Sequence, residues 1–407
     1  MAEIELTDKQ TIALSSCYNH ICFYSMLMDL GYNANEIKDQ RFFFLNGFAG
    51  TGKSTVIVEL DKQLKNNKKL LRGTYTTLTG RACENLMGRG VDCRTAHSLF
   101  YEPVLDGEGN LQYFKLLDTN SIKDAIGDYL VIEESSMFPE DILNDIIDKT
   151  NCPILFVGDE AQLPPINGQS VYDKLMNEEC FESAKLLSME NILRTEEGSC
   201  IDLFANHIRE TGNFPMKMIN NKDLFSENKS ALTKNWFAKN WKNWDVLICG
   251  SNKTRKKFNN LIRISQGFQE DVPQPGERIM CIENTVVNDE RLNNGELFEV
   301  VATYPGSTLS NFIVHKVNGD GTKANNKNIT ITVENVFWEE EQPSNTFKKD
   351  RTIQKFVFGY ALTCHKQQGN SVPSVIFYDE NVSFYLDQTA FRYTACTRAS
   401  SKLMVVR

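Results

Sequence analysis

The chain has 407 residues, enough for two or three domains with an ample core. Apolar residues make up 41% and charged residues 24%, as in an ordinary soluble globular protein, and no apolar run approaches a membrane span. The net charge of −9 argues against a diffuse, histone-like grip on nucleic acid, yet it leaves room for a local basic track, because what counts is charge along the contact groove.

The N-terminus, MAEIELTDKQ, is acidic and polar, unlike a signal peptide. The 11 cysteines are an odd number scattered through apolar segments, which fits a reducing cytoplasm. Cys17, His20 and Cys22 cluster with no fourth ligand nearby, so they read as buried helix residues and not as a zinc site. Arg41-Phe42-Phe43-Phe44-Leu45 is an apolar run of strand length, and Ser54 to Leu64 repeats apolar residues at helical spacing. Between them lies Gly47-Phe48-Ala49-Gly50-Thr51-Gly52-Lys53-Ser54-Thr55, which matches the P-loop template in the strand–loop–helix context that the motif requires. The glycines let the backbone N–H groups and the helix N-terminus face phosphates. Lys53 would reach the β- and γ-phosphates, and the Ser54 hydroxyl would ligate Mg²⁺. Nucleotide binding is expected, but kinases, GTPases, packaging motors and helicases all share this loop.

Two basic clusters, Lys62–Arg72 and Asn252–Lys257, have the look of solvated helix faces, the commoner fate of such runs. YEPVLDGEGNLQYFKL carries a hairpin signal, two apolar-containing runs around Asp-Gly-Glu-Gly-Asn. A hydrolase of this class needs a second strand ending in acids, and Tyr129-Leu130-Val131-Ile132 is one, followed by Glu133-Glu134-Ser135-Ser136-Met137. Glu134 stands in the general-base position and Glu133 where most such proteins carry Asp for the metal. Ile154–Val157 is a third buried strand, and it places Asp159 and Gln162 at the same sheet edge, where ligands of open α/β sheets bind. Gln162 is then positioned to sense the γ-phosphate.

The order of these and later motifs resembles superfamily 1 helicases of the RecD and bacteriophage Dda-type branch, over essentially the whole chain. LTDKQ resembles the Q motif, in which Gln10 would read the adenine edge. GFAGTGKST, TTLTGRACENL, RTAHSLF, VIEESSM, GDEAQLPP, LSMENILRT, FGYALTCHKQQGNSV and YTACTRA follow in the expected order. The resemblance implies two RecA-like α/β motor domains with ATP between them and Mg²⁺ at Ser54 and Glu133. Arg194 and Arg398 would be arginine fingers. Thr77, Thr79, His97, Asn252, Thr363 and His365 would be short polar donors to the phosphates and sugars of single-stranded DNA.

The implied layout is a first motor over 1–188 with a pin hairpin inserted at 101–127. A second motor would span 189–272 and 351–407, with an SH3-like β insertion at 273–350. Tyr113 and Phe114, on the second arm of the pin, are candidates to stack at a fork. The expected activity is ATP- and Mg²⁺-dependent 5′ to 3′ translocation on single strands and unwinding of forked duplex. The expected setting is the cytoplasm of a bacterial or phage-infected cell, as a monomer meeting single-strand-binding or replication proteins and no membrane. The competing readings are a translocase that strips proteins with little unwinding, and a small-molecule phosphotransferase. The last gives no reason for HKQQG or YTACTRA.

Overall fold

The computed structural model describes residues 5–67, 71–105, 111–165, 168–177, 184–189, 200–215, 217, 222–269, 271–318, 321–339, 352–384 and 386–407. The described residues form two compact units, one up to position 197 and one from 198 onward.

Unit 1 begins with helix α1 (Asp8–Asp29), started by a capping box between Thr7 and Gln10. There follow β1 (Phe42–Gly47), α2 (Lys53–Lys65), β2 (Gly73–Thr77), α3 (Gly80–Met87), β3 (Cys93–Thr95) and α4 (Ala96–Phe100). The chain continues through β4 (Tyr101–Leu105), β5 (Leu111–Leu116), α5 (Thr119–Ile126), β6 (Tyr129–Glu133), α6 (Glu140–Lys149), β7 (Ile154–Gly158), α7 (Val171–Asn177) and β8 (Lys185–Met189). Six strands pair in parallel in the order β3-β2-β6-β7-β1-β8. The continuous apolar runs of β1, β6 and β7 suit strands covered on both faces. Leu45, Val131 and Val157 pack with α1 to α3 on one face. Phe44, Ile132 and Phe156 pack with α4 to α6 on the other, and the Phe44 and Phe156 rings stack at 4.7 Å. Each such buried side chain contributes about 1.5–3 kcal/mol. β4 and β5 form a two-stranded antiparallel ribbon outside this sheet.

In α1, Cys17 is buried, and His20 lies 5.2 Å from the Phe43 ring, with burial lowering its pKa to about 4. They are core residues of that helix. No helix among the described residues is long and apolar enough to cross a membrane.

Unit 2 contains α8 (Cys200–Thr211), β9 (Leu224–Glu227), α9 (Lys234–Asn240), β10 (Val246–Cys249) and α10 (Asn252–Ser265). An inserted β module follows: β11 (Arg278–Cys281), β12 (Thr285–Val287), β13 (Glu290–Leu292), β14 (Leu297–Tyr304), β15 (Leu309–Val317), β16 (Lys323–Glu334), α11 (Val336–Glu339) and β17 (Phe356–Phe358). The chain returns through β18 (Ala361–Thr363), α12 (Cys364–Gln367), β19 (Val372–Tyr378), α13 (Gln388–Cys396) and β20 (Ala399–Val406). The motor sheet is parallel, in the order β18-β10-β19-β20-β9.

The module sheet is antiparallel, β16-β15-β14-β11-β17. Its two edges meet at one point, where Gln354 N donates to Thr332 O at 2.7 Å and Thr332 N donates to Gln354 Oε1 at 2.8 Å. The insertion runs further than 273–350, because Phe356–Phe358 pairs with β11 and belongs to the module. The run from 356 to 362 is continuously apolar, so periodicity hides the crossing from one sheet to the next. Gly359 marks it, since a Cβ there would sit 2.9 Å from Leu297 Cδ2. Module and motor share one core, which includes Leu247, Phe258, Ile279, Phe298 and Phe358. Arg263 of α10 reinforces that junction: its Nε and Nη2 donate to the Glu277 carboxylate at 2.6 and 2.9 Å in a buried pair.

Candidate nucleotide site and motor motifs

β1 delivers the glycine loop to the carboxyl edge of the unit 1 sheet. A Cβ at Gly47 would lie 2.7 Å from Met189 O on β8, so close strand approach requires the first glycine. Gly50 and Gly52 have φ of +85° and +83°, which only glycine adopts without cost. Phe48 N donates to Met189 O at 3.1 Å, and Thr51 Oγ1 donates to Phe48 O at 2.9 Å, closing the loop on itself around Ala49. Gly52 caps α2 without a side-chain hydrogen bond, Thr55 N and Val56 N close the first turn on Gly52 O at 2.9 and 3.1 Å, and the positive end of the helix faces the loop, where an anion is favoured. Lys53 Nζ donates to Gly47 O at 2.6 Å and Phe48 O at 3.0 Å, holding its ammonium at the loop.

Ser54 Oγ donates to Glu133 Oε1 at 2.6 Å. The longer carboxylate at this position therefore reaches the hydroxyl directly. Burial, with Glu134 adding to it, pushes the Glu133 pKa up to about 7. A hydroxyl and a carboxylate meeting at the phosphate loop are the hard oxygen donors that Mg²⁺ takes. Among the described residues no group of three or more His, Cys, Asp or Glu side chains is gathered for a metal.

Glu134 has φ +55° and ψ +43°, a left-handed conformation that costs a non-glycine residue about 1–3 kcal/mol and often marks a functional site. Of two residues missed in the sequence reading, Tyr172 holds this turn and Asn46 holds the loop after β7. Ser135 Oγ lies 3.3 Å from Tyr172 OH on α7, and a Cβ at Gly158 would come within 2.8 Å of that Oγ. No local pattern in the sequence announces Tyr172. Asn46 is more legible, as the first polar residue after an apolar strand; its Oδ1 accepts from Glu160 N at 3.1 Å. In the loop after β7, buried Asp159 accepts from Ala161 N at 3.1 Å and from Gln162 Nε2 at 3.4 Å. Gln10 is buried at this edge as well, but its amide is already used: Oε1 accepts from Thr7 N at 3.0 Å, and Nε2 lies 3.5 Å from Thr51 O. It braces the loop from α1.

The candidate strand-contacting residues of unit 1 are not alike. Thr77 is fully buried, with its hydroxyl donating to Thr79 O at 2.8 Å and 3.0 Å from Cys83 Sγ, so it cannot offer that group to a ligand. Tyr75, Thr76 and Thr77 at the end of β2 are all buried, as in a strand covered on both faces, which the motif alone does not reveal. Thr79 caps α3 through Ala82 N at 3.3 Å. His97 is exposed on α4, and its pKa is lowered by partial burial, against an opposing effect of Asp141. Its ring lies 5.7 Å from Tyr101 and 5.8 Å from Phe114. On the ribbon, Tyr113 is 56% and Phe114 50% exposed. Adjacent strand residues face opposite ways, so Phe114 packs toward His97 and Tyr113 points elsewhere. The loop at 106–110 lies outside the described residues.

In unit 2, Asn252 is exposed at the start of α10 and accepts from Arg255 Nε at 3.2 Å. Thr363 is mostly buried at the end of β18. His365 is half-buried, burial lowers its pKa, and its Nε2 has no hydrogen-bond partner among the described residues. Gln367 Oε1 beside it is likewise buried and unpartnered among them. Arg398 is buried and held by three neutral oxygens: Nε by Thr394 O at 3.0 Å, Nη1 by Asn370 O at 3.2 Å and Nη2 by Thr397 Oγ1 at 3.0 Å. With no carboxylate partner among the described residues, its charge is left unneutralised. Arg194 lies outside the described residues.

The family model described as AAA domain matches residues 34–227, and that of the UvrD-like helicase C-terminal domain matches residues 358–406. An uncharacterised protein of Methanocaldococcus jannaschii is 25% identical over 94% of this chain, which spans only 38% of that protein's length. The RecBCD enzyme subunit RecD of Buchnera aphidicola is 29% identical over 31% of this chain and 24% of its own. Among solved structures, the Pif1 helicase of Candida albicans superposes with a TM-score of 0.58 at 17% identity, covering 100% of this chain and 95% of its own. Bacteroides Pif1 bound to single-stranded DNA gives 0.57 at 16% identity, over 99% and 92%. The two models thus place an AAA-type domain in the first half of the chain and a UvrD-like helicase C-terminal domain at its end, and the solved Pif1 structures share its fold over essentially the whole chain.

Proposed function

We propose that the chain is an ATP- and Mg²⁺-dependent DNA helicase that moves 5′ to 3′ on single-stranded DNA and separates duplex strands. The observations that carry this reading are the glycine loop of unit 1, with Ser54 Oγ on Glu133 beside it, and the presence of a second α/β unit in the same chain. In that second unit buried Arg398, just before β20, has no carboxylate partner among the described residues, and after β18 His365 Nε2 and Gln367 Oε1 have no hydrogen-bond partner among them. A small-molecule phosphotransferase needs neither. Single-stranded DNA in the Bacteroides Pif1 structure supports the choice of substrate.

Lys53 and the α2 N-terminus would hold the phosphates, and Glu134 would take the proton of the attacking water. Mg²⁺, when bound at Ser54 and Glu133, would neutralise phosphate charge. Gln162 would sense the γ-phosphate, and Arg398 and Arg194 would act on charge developing there. His97, Thr79, Asn252, Thr363 and His365 would contact the strand through neutral donors that carry little sequence information, as a walking motor needs. The exposed aromatic ribbon favours unwinding over bare translocation.

ATP hydrolysis should rise sharply with single-stranded DNA. Duplexes carrying a 5′ single-stranded tail should be unwound, and those with only a 3′ tail should not. ATPase activity indifferent to DNA would overturn the reading, whereas a reversed tail preference would overturn the direction alone.

A further inference from the structure

The motor sheet of unit 2 is parallel, so its strands end together at one edge. Cys249 of β10 pairs with Thr363 of β18, and Ile248 pairs with Phe377 of β19, which sets Cys249 level with Tyr378. Three connections leave this edge side by side: one through Thr363 and His365, one through Ser251 to exposed Asn252 and Lys253, and the loop from Asp379 to Asp387. The first two carry residues assigned above to the single strand. The third carries Phe384, which at 89% is the most exposed large apolar side chain among the described residues.

A ring standing singly in water is ordinary on a protein surface. This ring is held out by a braced loop. Val382, two residues before it, is fully buried over Gly250, where a Cβ would lie 2.4 Å from Val382 Cγ1. Val382 N donates to Gln388 Oε1 at 2.9 Å, and Leu386 N donates to Val382 O at 2.9 Å. Ser383 N and Oγ both donate to Asn381 Oδ1, at 3.1 and 2.6 Å. With the backbone tied on both sides of Phe384, stacking on its ring costs little loop entropy. The charge of the loop narrows what it takes. Residues 379–387 contain no Lys or Arg. Asp379 is engaged by Arg392, whose Nε and Nη2 donate to it at 3.1 and 2.9 Å, and Asp387 Oδ1 accepts from Ala390 N at 2.6 Å. Glu380 remains, its Oε2 buried and without a hydrogen-bond partner among the described residues. An acidic loop repels phosphate, so it does not hold a strand by its backbone. A nucleobase is flat and uncharged, and every base has a face that stacks on an aromatic ring. Asn252 and Lys253, at the same edge, supply the donors that phosphate needs.

We propose that Phe384 is a base-stacking residue of unit 2, gripping the single strand through a nucleobase where Asn252, Thr363 and His365 grip it through phosphate and sugar. It rests on the single-strand reading above and adds that the grip of this unit needs bases. The test measures binding of the whole chain to a labelled oligothymidylate and to an oligonucleotide of the same length built from abasic tetrahydrofuran units. Phe384→Ala should weaken oligothymidylate binding about tenfold. Phe384→Trp should keep the affinity of the unaltered chain, and Phe384→Leu, apolar but not aromatic, should fall with Ala. The abasic strand should bind the unaltered chain and Phe384→Ala equally. Thermal unfolding midpoints should agree among all four proteins, because the ring stands in water. Equal affinity of the unaltered chain and Phe384→Ala for oligothymidylate would overturn the proposal alone. So would an equal loss on both strands, which would make the ring a support of the loop, and so would full affinity in Phe384→Leu, which would leave stacking no part. Failure of the unaltered chain to bind oligothymidylate at all would overturn the single-strand reading and the proposal with it.

Discussion

The nucleotide half-site of unit 1 and the motif residues of unit 2 are built in opposite ways. In unit 1 the reactive groups touch one another: Ser54 meets Glu133 at 2.6 Å, Gln162 meets Asp159 at 3.4 Å, and the turn between them is braced by Ser135 and Tyr172. In unit 2 the groups keep apart. Arg398 is gripped by three neutral oxygens, while His365 Nε2 and Gln367 Oε1 have no partner among the described residues. A site whose parts share one unit can be assembled in advance, at the cost of strain at Glu134. Arg398 keeps a charge that a carboxylate partner would have cancelled, with no such partner among the described residues.

Removing the base in the assembled site should have the largest effect. Glu134→Gln keeps the volume and removes the proton acceptor, so turnover should fall by about two to four decades while ATP binding with Mg²⁺ persists. Single-turnover hydrolysis alongside equilibrium nucleotide binding would separate the two. Hydrolysis at the normal rate would move the role to Glu133.

The held cation should show a mixed signature. Arg398→Ala should slow DNA-saturated hydrolysis about a hundredfold or more with little change in ATP affinity. Because it also strands three oxygen acceptors in a buried place, stability should drop by about 1–3 kcal/mol, read from denaturant unfolding. Arg398→Lys should recover part of the stability and little of the rate, since one ammonium cannot replace the planar fork. A stability loss with normal hydrolysis would make Arg398 purely structural.

A smaller effect is expected outside both sites, at the ribbon. Tyr113→Ala and Phe114→Ala together should leave DNA-stimulated ATPase within about twofold and reduce strand separation about tenfold, the worth of one base–aromatic stack. The single changes sharpen the comparison. Phe114 packs 5.8 Å from His97, whereas Tyr113 is 56% exposed, so Tyr113→Ala should carry most of the unwinding loss. Parallel loss of ATPase and unwinding would show that the rings only hold the ribbon in place.

Much of this was legible in the sequence, and the reasons differ by element. The glycine loop and the parallel strands could be read because apolar runs and glycine spacing are local signals. The hairpin declared itself through Asp-Gly-Glu-Gly-Asn between two apolar runs. Three features were hidden for physical reasons. The end of the β module vanished because Phe356 to Leu362 is apolar on both sides of a crossing between sheets. Thr77 read as a ligand contact because the motif does not show that the end of β2 is buried on both faces, with the Thr77 hydroxyl already donating to Thr79 O. Tyr172 was invisible because its partner, Ser135, is 37 positions away in sequence.

The smallest expected effect tests how finely the assembled site is set. Glu133 stands where most related strands carry Asp, and its extra methylene lets it reach Ser54 Oγ at 2.6 Å. Glu133→Asp would draw the carboxylate back by about 1.5 Å at most, opening that contact from 2.6 Å to roughly 4 Å. A gap of that size admits bridging water, which Mg²⁺ tolerates because it retains much of its hydration. The expected result is a severalfold change in the Mg²⁺ concentration for half-maximal hydrolysis, with maximal turnover within about threefold of normal. The lost methylene should cost about 1 kcal/mol of stability in this buried place. Titration of ATPase activity against free Mg²⁺ reads the first two quantities. A fall in maximal turnover as deep as that of Glu134→Gln would contradict the division of labour between the two carboxylates and make Glu133 the base.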